Sequence, residues 1–159
     1  MKIGQDVFVQ QGILDCQITQ LIDYSQTDSD IKKFTSDQTR FADKNTFSQW
    51  QQQGRIIYTL IDPHQNLLGF IWFGQKDPPL KIKANFTFAI RIYGSARGQG
   101  LSQEFMKIVF ADLLKNQTDS HITGFWLETH SENSSAIHVY QKFGFKTVAQ
   151  KDNSVIMVL

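Results

Sequence analysis

The clearest hydrophobic rhythm in the chain runs from residue 84 to 92, where Phe86, Phe88, Ile90 and Ile92 recur at period two. That alternation puts four apolar side chains on one face of a strand. A few residues later the period changes. Leu101, Phe105, Ile108, Val109 and Leu113 recur at helical spacing and predict a helix over 101–114. The switching continues towards the C-terminus. Ile122 to Thr129 reads as a strand and Ser134 to Phe143 as a helix, with Gly144 where a left-handed C-terminal cap belongs. Residues 145–149 and 155–159 read as two closing strands around Asp152-Asn153. Upstream, 55–61 and 67–73 flank the turn cluster Asp62-Pro63-His64-Gln65-Asn66 and predict an antiparallel hairpin.

The N-terminal part is patterned more weakly. Val7-Phe8-Val9 predicts a short strand closed by Gln11-Gly12, and residues 13–25 mix both periodicities and predict neither. Asp28 and Ser29 are capping types before a short helix through Ile31-Lys32-Lys33-Phe34. Thr46 is a capping type before a second helix, Phe47 to Gln53, which Gly54 stops. Alternating strands and helices predict an α/β (α+β) domain in which helices pack on a sheet.

Composition bounds what such a domain does. The chain has 159 residues, 41% hydrophobic and 19% charged, which fits one globular domain over 1–159. A net charge of +1 gives no support for nucleic acid or an anionic membrane as partner. The one cysteine, Cys16, excludes an internal disulfide and a thiolate metal cluster, and it fits a reducing cytoplasm. Residues 1–6 show no signal-peptide pattern, and no apolar run approaches the ~20 residues of a membrane span.

Two motifs carry chemistry. Arg97-Gly98-Gln99-Gly100-Leu101-Ser102 sits between the 84–92 strand and the 101–114 helix. Glycines there let the backbone turn tightly and bare its N–H groups, and the helix start adds the positive end of its dipole. Together they make a phosphate cradle. Gly-rich turns before helices are common, so a plain strand-to-helix turn also fits. A Walker-type nucleotide site does not fit, because no Lys-Ser/Thr pair follows the glycines. The second motif, Asn133-x-x-Ala136-x-x-x-Tyr140-x-Lys142-x-Gly144-Phe145, lies on the last predicted helix, with Asn133 as its N-cap.

The second motif resembles a hallmark of the GNAT superfamily of acyl-CoA-dependent N-acyltransferases, and the first resembles that family's pyrophosphate loop, with Ser102 where Gly or Ala is usual. A proline frequent in the family's strand-to-loop corner is replaced by Gly94. The resemblance is specific over roughly 84–149 and general over 1–54. It implies a mixed, mostly antiparallel sheet of about seven strands with helices on both faces, splayed between its fourth and fifth strands. Here those are 84–92 and 122–129, and CoA enters the splay.

The resemblance assigns roles to residues. Arg97, Gly98, Gln99, Gly100, Leu101 and Ser102 hold the pyrophosphate. The main chain of Ile92 and Tyr93 pairs with the pantetheine arm and offers an N–H to the oxyanion. Asn133, Ala136 and Lys142 lie along the cofactor, though Lys142 reads equally as a solvated helix face. Tyr140 is the general acid for the departing thiolate, and its spacing fits a buried core tyrosine equally well. Glu128, His130 and Glu132 stand near the strand end as candidate bases, beside a water relay with no single base. Glu128 follows an apolar run, and burial there would raise its pKa. His138 points away from Tyr140, and His64 and His121 sit in turns. Phe34, Phe41, Phe47 and Trp50 fall in the region that walls the acceptor pocket in this family, where Asp28, Asp30, Asp37 and Asp43 could attract a cationic amine, and a solvated loop with core anchors also fits each of these residues.

The expected activity is transfer of an acetyl group from acetyl-CoA to a primary amine, on a small molecule or a protein, by direct attack in a ternary complex, with no metal. Cys16 is far in sequence from both motifs and is not invoked as an acyl carrier. A non-catalytic acyl-CoA-binding sensor shares both motifs, and Tyr140 favours the enzyme. Homodimers are common in the family, and the sequence leaves the oligomeric state open.

Overall fold

The computed structural model describes residues 1–3, 6–116 and 122–159. They form one open sheet of eight strands in the order β1-β2-β3-β4-β5-β6-β8-β7. The strands are β1 (Lys2–Ile3), β2 (Val7–Gln11), β3 (Ile56–Ile61), β4 (Leu67–Gln75), β5 (Phe86–Ile92), β6 (Phe125–His130), β7 (Lys146–Lys151) and β8 (Ser154–Val158). Helices α1 (Asp15–Thr27), α2 (Ser29–Phe34), α3 (Asp37–Arg40) and α4 (Lys44–Gln51) separate β2 from β3. Helix α5 (Leu101–Asn116) separates β5 from β6, and α6 (Ser134–Phe143) separates β6 from β7. All strand pairs are antiparallel except β5–β6. The two-residue β1 makes the count eight rather than about seven, so the expected fourth and fifth strands are β5 and β6.

Period-two patterning on β3, β4 and β5 sorts side chains to two faces. One face packs Tyr58, Leu60, Ile71, Phe73, Phe88 and Leu127 against α5 and α6. Phenylalanines interlock there, with ring centroids 5.1 Å apart for Phe73–Phe110, 4.8 Å for Phe110–Phe125 and 5.6 Å for Phe88–Phe145. The other face packs Ile57, Phe70, Trp72 and Tyr93 against α1, α3 and α4 through Leu21, Phe41, Phe47 and Trp50. Phe41, Phe47 and Trp50 are therefore core residues.

Several N-terminal expectations need correction. Residues 13–25, where both periodicities mix, lie in α1 apart from Ile13 and Leu14. Their helical stripe is hidden because two of its three buried positions are polar: Gln17 and Ser25 accompany Leu21. Ser25 satisfies its hydroxyl on the Leu21 carbonyl at 2.8 Å. Asp43, not Thr46, is the N-cap of α4, which spans Lys44–Gln51 rather than 47–53, and Thr46 is its third residue in a reciprocal capping box. The strand expected from Ile122 begins at Phe125. Asp28 caps α2 as expected, accepting from the N–H groups of Asp30 and Ile31. Helix α6 matches its expected limits, and Gly144 caps it at φ 120°.

Candidate active site

Strands β5 and β6 pair over only two residues, Phe86–Phe125 and Thr87–Trp126, and then part. Beyond that point β5 keeps its bonds to β4 on one edge, ending with the Tyr93 N–H donating to the Leu68 carbonyl at 2.8 Å. Alternation then sends the main-chain groups of Ile90 and Ile92 to the other edge, into the gap. The Tyr93 N–H is consequently spent on β4 and is not available to a ligand, which removes half of the expected Ile92–Tyr93 pair. Both carbonyls on the open edge are occupied by arginines. Arg91 Nη1 donates to the Ile90 oxygen at 2.9 Å, and Arg97 Nε donates to the Ile92 oxygen at 2.8 Å.

The parting strands open a cleft of about 1100 Å³. Ile92, Arg97, Gly98, Gly100, Leu101, Ser102, Glu128, Asn133, Ala136 and Tyr140 all line it. Of the remaining expected residues, Tyr93 is buried behind β5, and Gln99 and Lys142 are exposed and outside the lining. His138, expected to face elsewhere, stands exposed on the cleft wall, while His121 lies outside the described residues. A smaller hollow of about 620 Å³ lies under the 77–85 loop beside Thr123, at the closed end of the β5–β6 pair, where neither a glycine loop nor a helix start opens.

The loop meets the requirements of a phosphate site. A 3₁₀ turn, Gly94–Ala96, leads into Gly98 at φ 76° and Gly100 at φ 72°, backbone conformations that favour glycine. A Cβ at either position would meet nothing within 4 Å, so conformation rather than space selects glycine, and the concavity stays open. Helix α5 begins at Leu101, and its first N–H groups have no carbonyl of their own helix to bond. The Arg97 side chain turns elsewhere. It pairs with Asp28 at 2.7 Å and Asp30 at 3.3 Å, fastening the loop to the start of α2.

Tyr140 packs edge-on to Phe88 at 5.8 Å and Phe145 at 5.9 Å, with 4% of its surface exposed, on the wall of this cleft. Burial raises its pKa above the ordinary phenol value. Asp37 adds to the rise and Arg91 opposes it. The phenol therefore keeps its proton at neutral pH. Asn133 caps α6, accepting from Ala136 N–H at 3.2 Å, and Gln103 on α5 bonds the Val139 carbonyl at 2.8 Å, tying the two helices together. Glu128 is exposed rather than partly buried, because it lies where β6 has already left β5. Nδ1 of His130 accepts from the Glu132 N–H at 3.3 Å, and its ring lies 5.7 Å from Phe34. Lys33 and Glu132 pair at 3.5 Å beside that contact, so α2 touches the β6–α6 loop across the cleft.

The cleft's other half holds residues that the sequence reading passed over. Arg91 occupies the face of β5 opposite Ile90 and Ile92, and it grips the buried Asp37 by two bonds, Nε–Oδ2 at 2.6 Å and Nη2–Oδ1 at 3.2 Å. Arg40 reaches the same carboxylate at 2.5 Å. Burial alone would raise the Asp37 pKa, but Arg91 and then Arg40 hold it below the usual carboxylate range. For Arg91, burial works against the charged form and Asp37 outweighs it, leaving the guanidinium pKa raised. The only local signal was an arginine at the odd-numbered position of an apolar strand. None of the four aspartates is left unmatched for a cationic amine, since Asp28 and Asp30 meet Arg97, Asp37 meets two arginines and Asp43 caps α4.

Among the described residues, no cluster of His, Cys, Asp or Glu could hold a metal ion, and no helix is long and apolar enough to cross a membrane.

Comparison with known proteins accords with this geometry. A family model described as an acetyltransferase (GNAT) domain matches residues 17–146. No curated protein sequence matches the chain. Similar solved structures include spermidine N-acetyltransferase from Vibrio cholerae in complex with CoA and spermine. It is 13% identical with a TM-score of 0.69, over 96% of this chain and 92% of that one. The ribosomal-protein-S5-alanine acetyltransferase from Vibrio fischeri is 9% identical with a TM-score of 0.70, over 99% and 94%. A domain from Methanocaldococcus jannaschii is 16% identical with a TM-score of 0.72, over 98% and 99%.

Proposed function

The chain belongs to the GNAT acetyltransferase family, and on that premise we propose that it is an N-acetyltransferase moving acetyl from acetyl-CoA to a primary amine by direct attack in a ternary complex. The observation that carries this reading is the company Tyr140 keeps. A buried, protonated phenol shares one cleft with a glycine loop at a helix start and with the open edge of a splayed strand. The N–H groups at Gly98, Gly100, Leu101 and Ser102 hold the pyrophosphate. The open edge of β5 at Ile90 and Ile92 runs along the pantetheine, and a β5 N–H there meets the charge that develops on the thioester oxygen.

The amine nitrogen bonds to the thioester carbon as the carbon–sulfur bond breaks. Tyr140 gives its proton to the departing sulfur, and the nitrogen loses one to solvent or a base. Glu128 is the side chain best placed as that base, since it is exposed in the cleft on β6.

Thiol release from acetyl-CoA, measured across a panel of amines and peptide N-termini, tests the reading. Amine-dependent release that Tyr140→Phe abolishes supports it. Binding of acetyl-CoA with no release for any amine replaces it with an acyl-CoA sensor.

A further inference from the structure

Charge is distributed unevenly along the cleft. At the loop end, two carboxylates, Asp28 and Asp30, face one guanidinium, Arg97. At the other end the imbalance reverses. Asp37 is one carboxylate set against two guanidinium groups, Arg91 and Arg40. Each of the three guanidinium nitrogens of Arg91 is bonded, to Asp37 or to the Ile90 carbonyl. Arg40 has two of its three bonded. Its Nη1 bonds Asp37 and its Nη2 bonds Ser36 at 2.8 Å, which leaves further N–H groups of the fork free, and 27% of the side chain stays exposed on the cleft wall.

A second arginine deepens the surplus. Arg55 lies against Gly74, where a Cβ would collide with it, and two of its nitrogens, Nε and Nη1, are buried with no hydrogen-bond partner. Both guanidinium groups lie over the Trp72 ring, Arg40 at 5.6 Å and Arg55 at 5.1 Å from its centroid. Lys76 adds a further positive charge over Trp126 at 5.6 Å. The negative side chains lining this half are Glu128 and Glu132, and Glu132 is matched by Lys33.

The strand register shows what these charges surround. Trp72 pairs with Ala89, and Thr87 pairs with Trp126. Small side chains on β5 thus form a floor between two indoles, with Glu128 two residues beyond Trp126 on the same face of β6.

We propose that the acceptor amine also carries a carboxylate, which the Arg40 guanidinium takes over the face of Trp72, with the nearby Arg55 adding to the field. This rests on the acetyltransferase reading and names the acceptor class for the same cleft. A planar guanidinium with free N–H groups matches a carboxylate in a forked geometry, and the indoles flank the body of the molecule. A polyamine, in contrast, meets uncompensated cations here.

The test is thiol release at saturating acetyl-CoA with matched acceptor pairs. The acids are glycine, β-alanine, 4-aminobutyrate, 5-aminovalerate, phenylalanine and tryptophan, each beside its carboxamide. For at least one pair, kcat/KM for the acid exceeds that for the carboxamide by about tenfold or more. Arg40→Gln brings that ratio close to one through KM, and Arg40→Lys restores part of it. Acetyl-CoA affinity reports that the variants are folded, and the wild-type ratio stands alone if Arg40→Gln does not fold. Carboxamides turned over as well as acids, or an acid preference that Arg40→Gln leaves intact, overturns the proposal while acetyl transfer stands. Thiol release with other amines of the wider panel but with no member of any pair overturns this proposal alone, and release with no amine at all overturns the acetyltransferase reading with it.

Discussion

The side of the cleft bounded by α5 and α6 and the side bounded by α1 to α4 are built from different materials. The first offers backbone: N–H groups at a helix start, the open edge of β5, and glycines held at φ 76° and 72°. The second offers side chains that hold one another, Asp37 between Arg91 and Arg40 with Trp72 beneath. Backbone sites recognise what every substrate of a reaction shares, which on the proposed function is the CoA body. Side-chain sites discriminate, because exchanging one residue changes the sign of the charge presented. Tyr140 stands at the junction, on the α6 side in packing and coupled electrostatically to Asp37 and Arg91 on the other.

Variants sharpen this contrast. The largest effect is expected from Tyr140→Phe, which lowers kcat by about 10²- to 10⁴-fold while leaving the dissociation constant for acetyl-CoA nearly unchanged, as calorimetry and steady-state rates together would show. Because the phenol pKa is raised, any loss of wild-type kcat from Tyr140 ionisation has its midpoint above the ordinary phenol value of about 10.

Asp37→Asn comes next. It leaves two largely buried guanidinium groups without their counter-charge and reduces stability by about 3–5 kcal/mol in denaturant titrations, while folded molecules keep their affinity for acetyl-CoA. Its pH dependence has a definite sign. The folded carboxyl is held below its unfolded value, so its contribution is complete above the ordinary carboxylate range of about 3.9 and drains away as pH falls through the folded pKa. Asp37→Asn removes that acid-side component.

Gly100→Val acts on the backbone side. It forces a β-branched residue to φ 72° at a strain of about 1–3 kcal/mol, and acetyl-CoA binds about tenfold or more weakly in calorimetry, with the acid-to-carboxamide ratio unmoved. Arg97→Gln gives the smallest effect. Its ion pairs with Asp28 and Asp30 are partly exposed and worth under about 1 kcal/mol in a thermal melt. Acetyl-CoA affinity changes by less than about threefold if the loop N–H groups hold the pyrophosphate.

The same division explains what could be read along the chain. Gly98, Gly100, Asn133 and Gly144 act through local conformation, so their roles show in a few consecutive residues. Helices α5 and α6 show because their stripes are apolar. Helix α1 does not, because Gln17 and Ser25 occupy buried positions on it. Asp37 and Arg91 are 54 residues apart, and nothing near either one marks its partner. Asp37 read as a loop carboxylate able to attract an amine, whereas it is 1% exposed and committed to two arginines. Trp72 and Ala89 meet only through the β4–β5 register, which no local pattern specifies.

A crystal structure of the protein with CoA tests the central claim most directly. The account predicts pyrophosphate oxygens on the N–H groups of Gly98, Gly100, Leu101 and Ser102, pantetheine along the open edge of β5 at Ile90 and Ile92, and sulfur within hydrogen-bond reach of the Tyr140 hydroxyl. CoA bound outside the β5–β6 gap, or in the gap with Tyr140 turned from the sulfur, would contradict it.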